Sequence, residues 1–221
     1  MNKTRYEEML IPELLEARDR TPLAYLPIGS LEYHGFHLPL GHDTIQAHEF
    51  CLRAAEQTGG VVLPATYWGT RGHEGHEGSI LLQESTVAAL LGDILAELAR
   101  LRFRLVVVFT GHHPDVQGVV LKRVGEDFMR NNPSLRVLVL DPFYLHPATT
   151  EVEHAGKQET SLMLHLRPAL VAVQNLSLPG ALDHISKDCV EACAAFGRQF
   201  FETVLSELVR VVREALASIS A

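Results

Sequence analysis

Residues 104–110 read RLVVVFT, a run of largely β-branched, apolar side chains that shows no polar face. A strand that is apolar on both faces must be covered on both sides, which is typical of parallel sheets in α/β proteins. Helical patterns flank this run at 85–101 and 114–131. The stretch therefore predicts a central strand of a mainly parallel sheet.

The alternation of strand and helix continues along the chain in both directions. Apolar runs predict further strands at 23–28, 61–64, 135–140 and 169–173. Amphipathic patterns predict further helices at 6–18, 44–58, 158–166 and 186–218, and Ser85 or Thr86 is the expected cap of the helix at 85–101. Because parallel strands are joined by helical crossovers of one hand, we expect a three-layer αβα fold.

Composition restricts the class of protein. A chain of 221 residues with 47% hydrophobic and 21% charged residues, and without a linker-like segment, favours one ordered domain spanning 1–221. The net charge of -8 argues against a nucleic-acid partner. No apolar run approaches the ~20 residues that span a bilayer, and the N-terminus lacks a signal-peptide core, so we expect no membrane partner and a cytoplasmic location. Three cysteines without a CxxC pair argue against a disulfide framework.

Polar segments follow successive predicted strands. Residues 29–43, GSLEYHGFHLPLGHD, follow the strand at 23–28 and hold two acids and three histidines. The other segments are the loop at 67–79, which contains GTRGHEGHEG, the turn GHHPD at 111–115, and the pair His154 and Glu159. Since the carboxyl ends of parallel strands share one edge of a sheet, we expect these segments to converge there.

Imidazole nitrogen and carboxylate oxygen are ligands of borderline and hard cations. Glu32 and His34 are two residues apart, so both side chains point the same way on an extended segment. The pattern predicts a metal site, and the alternative is a hydrogen-bonded polar cluster that stabilises the loop. His37 and His42 are interpreted as shaping that loop.

Segment 29–43 resembles the opening motif of the creatininase family, Gly-Ser-x-Glu-x-His-Gly-x-His-Leu-Pro-Leu-x-x-Asp, at every specified position. HAGKQETSLML at 154–164 resembles the family's later His-Ala-Gly-x-x-Glu-Thr-Ser segment, and TGHHPDV at 110–116 resembles its Asn-Gly-His-Gly-Gly-Asn turn in part. Order and spacing agree from about residue 22 to 200. The resemblance implies a three-layer α/β fold, two divalent metal ions and, as in other members, a homo-oligomer such as a hexamer.

The resemblance also implies a ligand set. Asp43 would bridge the two ions, Glu32 and His112 would complete the first site, and His34 would bind the second. In creatininase an acid two residues past the turn histidine completes the second site. This chain has a proline there, and the resemblance to other family members implies that Glu159 takes that role. Zinc, manganese and iron all suit such oxygen and nitrogen ligands.

The remaining site residues are assigned to the substrate. We expect His154 to handle the proton of the leaving nitrogen, since an imidazole titrates in the right range and the family places a substrate-contacting histidine there. Its alternative role is to orient a ligand without proton transfer. His73, His76, Ser79 and His113 are expected to bind the substrate, with surface exposure as the alternative for His76.

Three functions remain open at this point. The leading prediction is a metal-dependent amidohydrolase that cleaves a C–N bond in a small cyclic amide, formamide or related compound. One alternative is a metallopeptidase that trims a short peptide, and another is a non-catalytic member that binds metal or a metabolite. The altered turn at 110–115 leaves the small-molecule substrate open. The apolar helix at 186–218 is expected to pack on the sheet or on a neighbouring subunit.

Overall fold

A computed structural model describes residues 3–72, 75–147 and 153–220 of the chain. Its strands are β1 (Leu23–Ile28), β2 (Val61–Val62), β3 (Leu105–Thr110) and β4 (Arg136–Leu140). They form a sheet in the order β2-β1-β3-β4, and every neighbouring pair is parallel. The predicted parallel sheet is therefore confirmed, with the RLVVVFT strand in its interior.

Helices cover both faces of this sheet. They are α1 (Ile11–Arg20), α2 (His42–Thr58), α3 (Glu84–Arg100), α4 (Asp115–Asn131), α5 (Pro142–Leu145), α6 (Lys157–Leu166) and α7 (Ala194–Ser220). Side chains alternate across a strand, so Tyr25 and Val107 face one layer while Leu26 and Val108 face the other. The first layer contains α2 and α7, and the second contains α1, α3 and α4. The three-layer prediction is confirmed.

The C-terminal helix α7 packs against one face of the sheet. Val204, Leu208 and Val212 recur at helical spacing and are fully buried in the same cluster as Tyr25 and Phe109. Close packing with α6 depends on Gly197, where an added Cβ would lie 1.8 Å from the Ser161 carbonyl oxygen. The helix therefore forms part of the core of this chain.

Several local predictions are wrong. Residues 169–173 form no strand, because the backbone there turns through 3₁₀ segments at Pro168–Leu170 and Val173–Ser177, and Ala172 N donates to the His37 carbonyl. The last helix begins at Ala194, after a separate 3₁₀ turn at Lys187–Glu191. The cap of α3 is Gln83, with neither Ser85 nor Thr86 in that position.

Two helical segments also differ from the prediction, whereas the cysteines agree with it. The first predicted helix divides into a 3₁₀ turn at Tyr6–Glu8 and α1, and the short helix α5 had no sequence signal. Cys51, Cys189 and Cys193 are all free thiols, as expected. Within the described part of the chain, no helix has the length and apolar character needed to cross a membrane.

Candidate metal centre

The five predicted metal ligands converge at the carboxyl edge of the sheet. They are buried, with 1–3% of each residue exposed: Glu32, His34, Asp43, His112 and Glu159. Two of them follow β1, one is the second residue of α2, one lies two residues after β3, and one lies in the first turn of α6. Segments far apart in the sequence therefore supply one buried cluster.

Two glycines allow the start of α2 to lie directly over the strand ends. The register pairs Ile28 with Thr110, so the next residues, Gly29 and Gly111, leave the sheet side by side. A Cβ at Gly111 would lie 2.1 Å from the Asp43 carbonyl oxygen, and a Cβ at Gly29 would lie 2.2 Å from the Thr44 nitrogen. Only residues without a side chain permit this approach, which brings Asp43 into the cluster.

The Asp43 carboxylate lies between two histidines. Its Oδ1 is 3.0 Å from His34 Nε2, and its Oδ2 is 3.1 Å from His112 Nδ1. Ser30 Oγ donates to the same Oδ2 at 2.7 Å, which fixes the carboxylate plane. One oxygen atom thus faces each of two ligand groups, the arrangement that a bridging carboxylate requires.

The first ligand group consists of Glu32, Asp43 and His112. His112 Nδ1 is 2.8 Å from Glu32 Oε2, while Nε2 lies 2.8 Å from the Thr70 carbonyl oxygen. Because a carbonyl can only accept, Nε2 carries the hydrogen and Nδ1 faces the carboxylates. The backbone therefore selects the tautomer in which Nδ1 is available as a ligand.

The second ligand group consists of His34, His42, Asp43 and Glu159. His34 Nδ1 lies 3.1 Å from the Glu32 carbonyl oxygen, which leaves Nε2 facing Asp43. Glu159 Oε2 is 3.9 Å from that same Nε2 and accepts a hydrogen bond from Ala155 N at 2.7 Å. Both groups share Asp43.

Burial disfavours the charged form of each of these groups, and neighbouring groups of opposite charge outweigh burial at His34, His112 and Asp43 but not at Glu159. Burial would lower the pKa of His34, but Asp43, Glu159 and Glu32 raise it to about 9. Hydrogen bonds to Asp43 and Glu32 likewise overcome burial and raise the pKa of His112 to about 10. The pKa of Asp43 is held well below its ordinary range because the two histidines outweigh burial. Burial raises the pKa of Glu159 to about 8. Without metal, two protonated rings therefore supply the positive charge around Asp43.

A pocket of about 410 Å³ opens above the cluster. Glu32, His34, Asp43 and Glu159 contribute to its lining. His113 and His154, two of the predicted substrate or proton-transfer residues, also line it. The ring of His154 lies 4.7 Å from that of His34, and its Nε2 is 2.8 Å from the Tyr33 carbonyl oxygen. The ring of His113 packs edge-on against Phe143 at 4.5 Å.

The other predicted substrate residues lie outside that lining. His76 stacks on Tyr33 at 4.9 Å between ring centroids and contacts the ring of His184, which does line the pocket. Ser79 Oγ accepts a hydrogen bond from Tyr33 N at 2.9 Å. Both are half-exposed and contact Tyr33, and His76 also contacts the pocket residue His184. His73 lies outside the described residues.

Three acidic or histidine side chains of the site were missed in the sequence: His42, Glu153 and His184, the last of which lines the pocket. His42, interpreted as a loop residue, is fully buried, and burial together with the charge of His34 holds its pKa well below the ordinary value. The only sequence signal was its position next to Asp43. Glu153 lines the pocket, accepts a hydrogen bond from Glu159 N at 2.7 Å, and has a pKa that burial raises to about 7. No motif marked Glu153.

Known proteins that resemble the chain point in two functional directions. A family model for creatininase, described as creatinine amidohydrolase, matches residues 7–212. The creatinine amidohydrolase of Pseudomonas putida is 32% identical over 168 residues, which cover 66% of this chain and 65% of that protein. The chain thus spans just under two thirds of that relative's length. The mycofactocin precursor peptide peptidase of Mycobacterium tuberculosis is 30% identical over 225 positions, covering 87% of this chain and 85% of that protein.

Solved structures share the fold over nearly the whole chain. A crystal structure of creatinine amidohydrolase superposes with a TM-score of 0.85 at 21% identity, covering 98% of this chain and 99% of that one. The structure called "Creatininase Mn" superposes with a TM-score of 0.84 at 21% identity, and the match covers 97% of this chain and 99% of that one. A mutant creatininase of "Zn-Zn type" superposes with a TM-score of 0.83 at 22% identity, and the match covers 98% of this chain and 99% of that one.

Proposed function

The chain belongs to the creatininase family, and on that basis we propose that it is a two-metal amidohydrolase that cleaves a C–N bond in a small cyclic amide, formamide or related compound. The observation that carries this proposal is the Asp43 carboxylate, which presents one oxygen to each of two buried ligand groups at the floor of a 410 Å³ pocket. A pocket of this volume suits a small molecule.

The donor set fits a pair of divalent ions. Glu32, Asp43 and His112 would hold the first ion, and His34, Asp43 and Glu159 would hold the second. Backbone carbonyls orient both histidines so that a ring nitrogen faces the carboxylates. Ser30 and the Ala155 amide hydrogen-bond to Asp43 and Glu159, respectively, which supports the ligands from outside. The zinc and manganese forms of creatininase support either metal here.

Bound in this position, two divalent ions would supply a water molecule of lowered pKa and would polarise the carbonyl of the substrate. The protein supplies the remaining steps. His154 stands at the pocket wall with its ring fixed by the Tyr33 carbonyl, and we assign its Nδ1 to proton transfer with the leaving nitrogen. His113 borders the same pocket, where we expect it to contact the substrate. Burial of the ligands keeps their side chains largely shielded from bulk water at the floor of the pocket.

A metallopeptidase that trims a short peptide is the second candidate. It is favoured by the similarity to the mycofactocin precursor peptide peptidase of Mycobacterium tuberculosis over most of both chains. Relative kcat/KM values for lactams, formamides and short peptides, measured on one metal-loaded preparation, separate the two candidates. A preference for peptides of at least 100-fold would replace the small-amide proposal with the peptidase.

The test of the proposed function combines metal content with turnover. Purified protein is loaded with zinc or manganese, desalted, and assayed for bound metal and for hydrolysis of creatinine, other lactams, formamides and dipeptides. We expect two ions per chain and activity that Asp43→Ala abolishes, while the exposed helix variant Asp93→Ala retains both. Two bound ions without hydrolysis of any substrate would establish the non-catalytic alternative, and metal content well below one ion per chain would refute both hydrolase proposals.

A further inference from the structure

His42 is a buried imidazole that the hydrogen bonds of the described residues leave unsatisfied. It is 0% exposed, and neither Nδ1 nor Nε2 has a hydrogen-bond partner. Buried polar groups are nearly always paired, because an unpaired one has lost its hydrogen bonds to water without replacement. The position of this ring therefore calls for a partner of a different kind.

The ring points into the second ligand group. His42 Nε2 lies 3.8 Å from Glu159 Oε1, and its ring centroid is 4.9 Å from that of His34. One ligand atom each from His34, His42, Asp43 and Glu159 lies within 4.8 Å of all the others. Four ligands placed tetrahedrally at ~2.1 Å from zinc are roughly 3.4 Å apart. The measured separations of 3.0, 3.8 and 3.9 Å lie on either side of that value.

A purely structural role does not account for this arrangement. A separation of 3.8 Å is too long for a hydrogen bond between His42 and Glu159. His37, another buried histidine of the same loop, differs from His42 in this respect, because its Nε2 lies 2.8 Å from Thr160 Oγ1 and only its Nδ1 lacks a partner among the described residues.

We propose that His42 is a fourth protein ligand of the second metal ion, together with His34, Asp43 and Glu159. This inference rests on the proposed two-metal function. It makes the second site a set of two imidazoles and two carboxylates, whereas the first has one imidazole and two carboxylates. Nitrogen ligands favour zinc over manganese, so the second site selects zinc more strongly than the first. Zinc accepts a fifth ligand, so the fourth protein ligand still leaves room for substrate.

The experiment compares zinc binding by the wild type, His42→Phe and His113→Phe. Phenylalanine keeps an aromatic ring of similar size and removes the nitrogens, and His113 is a matched control because it is a pocket histidine whose Nε2 also lacks a partner. Zinc stoichiometry is measured after desalting, and the affinity of each ion is measured by competition with a chromophoric chelator. We expect the dissociation constant of the second ion to rise by on the order of 100-fold in His42→Phe, with two tight ions retained by the wild type and His113→Phe.

The outcomes separate the two proposals. A wild type that binds fewer than two ions refutes the proposed function, whereas two ions in the wild type and an unchanged second affinity in His42→Phe refute only the role of His42. Circular dichroism checks that the variant folds. If it does not, assigned ¹⁵N-histidine NMR of the wild type decides: the imidazole nitrogens of His42 should shift on zinc loading together with those of His34 and His112, and an unshifted His42 overturns the inference.

Discussion

Raising the pH should destabilise the metal-free protein. Three buried groups hold protons in the native state at neutral pH, since the pKa values of His112, His34 and Glu159 are raised to about 10, about 9 and about 8. In the unfolded chain the same groups are largely deprotonated above pH 7, because ordinary values are about 6.5 for histidine and 4.3 for glutamate. A native state that binds more protons than the unfolded state loses stability as pH rises.

The magnitude follows from the three raised pKa values. For each histidine, the stabilisation is complete below about pH 6.5 and is lost as the pH passes through the native value. Between pH 7 and pH 8 each of the three groups contributes a loss of about 1 kcal/mol, so the free energy of unfolding should fall by about 3 kcal/mol. That is a large fraction of the 5–15 kcal/mol typical of a domain.

Urea denaturation in the presence of a chelator measures this loss at pH 7 and pH 8. Protein loaded with metal should show almost none of it, because coordinated ligands are already deprotonated. Glu159→Gln should remove about one third of the effect, whereas His48→Gln, which changes a histidine paired with Arg5 outside the site, should leave it unchanged. Metal-free protein that is equally or more stable at pH 8 would refute the reasoning that the cluster holds these protons.

Three further substitutions test the site and the core. Gly69→Ala places a Cβ 2.7 Å from His112 Cδ2 and should weaken binding of the first ion at least ~10-fold in a metal titration. The control is Gly92→Ala on α3, where an added Cβ meets open space and should stabilise the protein by about 0.5–1 kcal/mol. Equal affinity of the two variants for the first ion would contradict the prediction. His154→Gln should lower kcat by about 10²–10⁴-fold with two ions still bound, and a loss of metal would show that His154 is a ligand instead. Leu208→Ala, in the buried face of α7, should lower the free energy of unfolding by about 2–5 kcal/mol, measured by thermal or urea unfolding. The control Val190→Ala, at an exposed position, should lower it by at most ~0.5 kcal/mol. Similar losses in the two variants would argue against the packing of α7 described above.

Local patterns predicted most of the sheet because burial on both faces leaves a direct record in the sequence. RLVVVFT and the apolar run at 23–28 appear as β3 and β1, within one residue of the expected bounds. The stretch at 169–173 is equally apolar, yet it forms no strand because the chain there follows the loop of His37 and meets no sheet edge. Apolar character alone does not show whether a neighbouring strand is available for pairing.

The amino-acid sequence by itself determined the class of fold, the family and the five residues that converge as candidate metal ligands. Those features depend on short-range periodicity and on a compact motif, both of which can be read along the chain. Only the tertiary structure decided that the two oxygens of Asp43 face different histidines, that Glu153 lines the pocket, and that His42 points at Glu159 from the first turn of α2. The physical reason is that such contacts depend on how two glycines let a helix lie against strand ends, a packing relation between distant segments that no local pattern encodes.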